Sequence, residues 1–148
     1  MTAVASIRFF PLKADYDVGL SNLIRANGFR DINRQINSKN FPNARRGQAM
    51  LETAVIYFGW PMEIAEIAHD LEAMYFRSAE LMDLLIFNLK YPGVQLVPRF
   101  NALGLVYHNA FGLDLAPYIY LTDEGRELQL DHIGDESDNL DCYLAIKK

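Results

Sequence analysis

SAELMDLLIFNLKY, residues 78 to 91, is the stretch on which the fold turns. Wound at 3.6 residues per turn, it places Leu81, Met82, Leu85, Ile86 and Leu89 on one broad face. Leu84, Phe87 and Tyr91 fall on the other side among Glu80, Asp83, Asn88 and Lys90, so that side is only partly polar. Such a helix needs cover from two directions. The apolar side of a following sheet is expected to cover Leu81, Leu85 and Leu89, while the earlier helices or a second subunit cover Leu84 and Phe87. A homodimer through Leu84 and Phe87 is therefore one expected partnership. Asp83 is placed to cap the helix or to pair with a basic segment at 25 to 46.

Beyond this helix, Tyr91-Pro92-Gly93 makes a turn and the pattern changes to that of strands. VQLVPRF (94 to 100), LGLVYHNAF (103 to 111), PYIYLT (117 to 122), ELQLDHI (127 to 133) and DCYLAI (141 to 146) follow at short spacing. In TDEGRE, an even-length loop pairs Leu121 with Leu128 and Ile119 with Leu130, which keeps apolar residues on one face. The alternation sends Val94, Leu96, Phe100, Leu103, Leu105, Leu140, Cys142, Leu144 and Ile146 to the core. Gln95, Arg99, His108, Tyr118, Tyr120, Thr122, Glu127, Gln129, Asp131 and Tyr143 go to an outer, solvated face.

Before the helix, residues 3 to 10 (AVASIRFF) read as a strand with Ala5, Ile7 and Phe9 inward, ended by Pro11. DYDVGLSNLIRANG reads as a short amphipathic helix with Asp15 or Asp17 at its start and Gly28 as its stop. A second short helix around Phe29, Ile32 and Ile36 gives way to a loop at 37 to 44. Met50, Leu51, Ala54, Val55 and Phe58 recur at helical spacing, although the tail VIYF also suits a strand. MEIAEIAHDLEAMYF, introduced by Pro61, carries the clearest amphipathic pattern, burying Ile64, Ile67, Ala68, Leu71 and Tyr75. The expected fold is one α+β domain spanning residues 1 to 148. It has an N-terminal strand, four or five helices and then a mostly antiparallel five-stranded sheet packed on the helices.

Composition narrows the functional classes. A hydrophobic fraction of 51% with 22% charged residues is that of a globular chain. The net charge of -5 disfavours generic nucleic-acid or anionic-membrane binding. Cys142 is the single cysteine, so there is no intrachain disulfide framework. The N-terminus lacks the features of a signal peptide and no apolar run reaches a membrane span, so a cytoplasmic location is expected. Charge is unevenly distributed. Arg25, Arg30, Arg34, Lys39, Arg45 and Arg46 face only Asp31 within 25 to 46, read as a solvated helix face or an anion contact. Residues 123 to 141 carry eight carboxylates against Arg126 alone.

No motif fixes an activity. The spacing Glu66-x-x-His69 matches half of a di-iron motif, and the chain has one copy where two are needed. DESDN at 135 to 139 lacks the ligand spacing and central Gly of a calcium loop. His132 reads as a core-edge histidine and Cys142 as a small core residue. No metal or cofactor is expected. The candidate ligand-binding set is Arg99, His108, Tyr118, Tyr120, Gln129, Asp131 and Tyr143, which offers a cation, a titrating imidazole, a carboxylate and hydrogen-bonding aromatics. The expected function is a non-enzymatic domain receiving a small molecule or a protein partner on the outer sheet face. The alternatives are a small enzyme using His108 as acid or base with Arg99 for an anionic substrate, and an acidic inhibitor or immunity-type protein that docks on a basic partner.

Overall fold

The computed structural model describes residues 4–95, 97–133 and 141–148. Its backbone is mostly sheet. In chain order the elements are β1 (Ser6–Asp15), α1 (Leu20–Asn27), β2 (Asp31–Ile32), β3 (Gln48–Tyr57), α2 (Ile64–Ala73), β4 (Phe76–Ser78), α3 (Leu81–Lys90), β5 (Arg99–Asn101), β6 (Tyr107–His108), β7 (Asp114–Thr122), β8 (Gly125–His132) and β9 (Asp141–Lys147). Nine strands form a single sheet in the order β1-β3-β9-β5-β7-β8-β2, with β4 also on β9 and β6 also on β7. The β5–β9 and β2–β8 pairs are parallel and the rest antiparallel, so the sheet is mixed. This corrects the expected five-stranded, mostly antiparallel sheet preceded by four or five helices.

Two misread stretches account for most of that correction. Residues 48 to 57 are not a helix but β3, paired with β1 across ten residues from Ser6↔Tyr57 to Asp15↔Gln48. Both faces of β3 are covered at its end: Val55 joins one core, while Ala54 and Ile56 join another. A strand buried on both faces is a continuous apolar run and loses the period-2 signal. The short helix expected around Ile32 is instead β2, held parallel to β8 through Asp31↔Glu127 and Ile32↔Leu128.

Pro11 does not end the first strand. At the sheet edge its missing N–H forfeits no ladder bond, and its carbonyl accepts a hydrogen bond from Tyr91 Oη. The strand continues inward to Leu12 and Ala14, both fully buried, while Ile7 and Phe9 are exposed, the reverse of the expected facing.

Helices cover both sheet faces. On one side α1 and α3 join Leu12, Val55, Phe100, Ile119, Leu128, Cys142, Leu144 and Ile146 in the larger core. On the other, Ile64, Ile67 and Leu71 of α2 pack with Ala54, Ile56, Ala116, Tyr143 and Ala145. Strand β9 lies between the two cores, and all six residues from Asp141 to Ile146 are buried.

Within α3 the side expected to need other cover also reaches the sheet core. Phe87 meets Phe10 of β1 edge-on at 5.6 Å and Phe100 of β5 at 5.7 Å, so it faces the sheet. Burying it contributes roughly 2–3 kcal/mol. Leu84 and Phe87 are both completely buried within the chain and present no surface to a second copy, whereas Leu89 is exposed. The helix start is pinned by Asp83, whose Oδ2 accepts the Glu80 N–H at 2.9 Å, the reciprocal half of a capping box. Asp83 also accepts from Tyr16 Oη at 2.6 Å and Arg77 Nη1 at 2.8 Å, while Glu80 takes Arg45 of the basic segment at 3.0 Å.

The β7–β8 hairpin has the even-length loop, Asp123-Glu124, but its register is shifted two residues from the expected one. Ile119 pairs with Leu128, Pro117 with Leu130 and Leu121 with Arg126. Thr122 Oγ1 closes the turn on the Gly125 carbonyl at 2.7 Å. A two-residue shift leaves every side chain on its face. Between β5 and β6, Gly104 donates its N–H to Ala79 O at 2.8 Å, and a Cβ there would lie 2.4 Å from Ser78 O. Leu96, Leu140 and the DESDN segment lie outside the described residues.

Candidate functional site

The outer face assembles around Arg99. Strand β5 sets Arg99 opposite Tyr120 on one side and Asp141 on the other, and Asn101 opposite Tyr118 and Tyr143. On β8, Gln129 pairs with Tyr118, Glu127 with Tyr120 and Asp131 with Ala116. The period of two therefore projects Arg99, Tyr118, Tyr120, Glu127, Gln129, Asp131 and Asp141 to the same side. Arg99 Nη2 bonds Asp131, its Nε lies 3.1 Å from Asp141 Oδ1, and its guanidinium stacks 4.3 Å from the Tyr118 ring centre. Asn101 Nδ2 supports Asp141 at 3.2 Å.

These contacts change what Arg99 can do. Burial pulls its pKa down, but Asp141 and Asp131 more than offset this and hold it above its ordinary value. It is a charge clamped between two carboxylates at the ends of β8 and β9, and not a free receptor for an anion. Burial and Asp131 push the Tyr118 phenol up against the opposing pull of Arg99, so it is held protonated. Tyr118 and Tyr120 meet edge to face at 6.5 Å, and Tyr120 remains 39% exposed.

Farther along the face, Gln129 Nε2 donates to Asp31 at 2.8 Å and to Glu127 at 3.3 Å, and Arg30 bridges Glu127 and Glu124. Among the described residues five carboxylates, Asp31, Glu124, Glu127, Asp131 and Asp141, thus gather with Arg30 and Arg99. Sequence reasoning missed Asp31, Arg30 and Asp141 as members. Asp31 and Arg30 arrive through β2, which carries only two residues of strand pattern, and Asp141 alternates with Tyr143, a relation that was available in DCYLAI.

Two of the expected site residues do not join. His108 lies on β6 with its Nδ1 2.7 Å from Asp114, and Asp114 precedes Tyr118 by four residues on β7, about 13 Å along a strand. The acid–base pair of His108 and Arg99 is therefore not assembled. Tyr143 occupies the predicted face, but α2 covers it: it is 2% exposed and packs edge-on to Phe58 at 5.9 Å. Gln95, also assigned to the solvated face, is buried, with its Nε2 donating to Val97 O, Pro98 O and Ile119 O.

Among the described residues no cluster of three or more His, Cys, Asp or Glu side chains could hold a metal ion. No helix among them is long and apolar enough to cross a membrane. The clefts lined by Arg8 and Cys142, by Leu23 and Ile86, by Phe41 and Arg46, and by Lys13 and Met50 do not include Arg99 among their described lining residues.

The architecture and this surface together define a mixed-sheet protein with helices on both faces and an acidic, tyrosine-bearing patch on one of them. Comparison with known proteins finds no matching family model, no matching curated protein and no matching solved structure.

Proposed function

We propose that this chain is a non-enzymatic binding domain that receives a protein partner on the open face of β5, β7 and β8, and that the partner's contact surface is basic. The observation that carries this reading is the clamped state of Arg99. With its charge already met by Asp131 and Asp141, the remaining carboxylates leave the face net acidic around an exposed Tyr120. A partly exposed aromatic with a rim of charged groups is the pattern of a protein-binding surface. Electrostatic steering of this kind serves an inhibitor or immunity-type protein, the acidic alternative expected from composition.

The test is capture of a partner from the native cell at low salt by immobilised wild-type chain and by Tyr120→Ala. Retention by wild type that is lost with Tyr120→Ala and at high salt supports the reading. Equal retention by both proteins removes this face from the function.

A further inference from the structure

A cleft of about 360 Å³ lies on the α1–α3 side of the sheet, lined among others by Asp17, Gly19, Ser38, Phe41, Asn43 and Arg46. Its size falls within the range of small-molecule sites. The wall formed by residues 35 to 46 is braced by its own asparagines. Asn37 Oδ1 accepts the N–H groups of Lys39 and Asn40, Asn40 Nδ2 donates to Gln35 O, and Asn43 Nδ2 donates to Tyr16 O. Ile36 and Phe41 anchor the segment in the core.

On this wall Arg46 is held in place. Its Nη1 donates to Asn43 O at 2.7 Å and Arg45 O at 2.8 Å, and its other guanidinium donors have no protein acceptor among the described residues. The basic segment is also only partly neutralised. Arg30 and Arg45 have carboxylate partners, whereas Arg25, Arg34, Lys39 and Arg46 have none among the described residues. An arginine fixed by backbone carbonyls with a free edge is ready for a bidentate oxyanion. Ser38 adds a hydroxyl to the same cleft.

Asp17 decides which oxyanion fits. Its Oδ1 accepts the Gly47 N–H at 3.0 Å, and the carboxylate borders the cleft that Arg46 also lines. A fully ionised ligand meets repulsion there. A phosphate group retaining one proton instead presents acceptor oxygens to Arg46 and Ser38 and a P–OH donor to Asp17. We infer that this cleft binds a phosphate group, as its monoanion, on a small molecule. The site is separate from the acidic face of β5, β7 and β8.

The experiment is a titration of the full, isotopically labelled chain with inorganic phosphate and with sulfate near pH 6 at constant ionic strength, followed by amide chemical shifts. Saturable shifts of Gly19, Ser38 and Gly47 are expected, with phosphate binding roughly tenfold tighter than sulfate, the worth of one charge-assisted hydrogen bond. Arg46→Gln weakens phosphate by about tenfold or more, and Asp17→Asn abolishes the preference over sulfate. Ser38→Ala gives an independent loss of affinity. Both charged side chains are exposed, and the unchanged remainder of the spectrum reports an intact fold. Non-saturating shifts, equal affinity of wild type for the two anions, or an unchanged phosphate affinity in Arg46→Gln would overturn the inference.

Discussion

Arg99 shows how a residue's partners decide its role. Read from the sequence it is a surface cation open to an anion; in the fold it is 27% exposed and braces the end of β8 to the start of β9 through Asp131 and Asp141. Removing it takes the guanidinium away from Asp141, which is almost wholly buried and keeps its hydrogen bond from Asn101. Arg99→Ala is therefore expected to destabilise the fold by about 2 kcal/mol, because truncating one member of a partly buried pair leaves the other's charge less well compensated. Urea unfolding measures this, and a change below about 0.5 kcal/mol, the range of an ordinary surface substitution, would contradict the clamp. Tyr16 offers a second test at this scale. Burial first, and then its hydrogen bond to Asp83, raises its pKa from 10.0 to about 12. A folded pKa above the unfolded one supplies stability that is present below pH 10 and fades as pH rises towards about 12. Cys142, raised by burial from 9.0 to about 12, acts in the same direction. Tyr16→Phe should lower stability at neutral pH through loss of the Asp83 bond and flatten, without abolishing, the alkaline decline seen in unfolding midpoints. An unaltered alkaline decline would show that Tyr16 does not titrate in this way.

At the scale of elements, the legible parts were those whose pattern one face dictates. The helix over α2 was readable from Ile64, Ile67 and Leu71, and β7 and β8 from their alternation. The even loop between them was readable because an odd one would mix the faces; its exact register was not, since a two-residue shift preserves facing. Strand β3 and β9 were harder because both of their faces are covered. For β9 this turned a correct facing into a wrong environment: Tyr143 was assigned to the outer face, but α2 makes the outer face a second core there. Tyr143→Ala should accordingly cost about 3 kcal/mol, as truncation of a buried aromatic does. A cost under about 1 kcal/mol in denaturant unfolding would mean that this part of the face is wet. Strand β2 was illegible for a different reason. Two residues carry no period, and their pairing depends on β8, about a hundred positions downstream.

At the scale of the molecule, the sheet divides its surface by chemistry. One side is closed by α1 and α3 and bears the partly unpaired basic segment beside the cleft. The other carries the α2 core, which reaches from β3 and β9 to Ala116 of β7, and beyond it the carboxylates and the partly exposed Tyr120 of the β5, β7 and β8 face. The candidate site was thus half legible: alternation placed Arg99, Tyr118, Tyr120, Gln129 and Asp131 together and could have added Asp141, while strand order, absent from any local pattern, separated His108 and brought in Asp31. The open face is the feature on which the proposed function stands. Its most direct test is the affinity of the captured partner for wild type and for Glu127→Gln/Tyr120→Ala over a range of salt concentrations. The wild-type affinity is expected to fall steeply with salt, and the variant to bind at least roughly tenfold more weakly at low salt with a shallower salt dependence. A variant retaining wild-type affinity and wild-type salt dependence would contradict the proposed function.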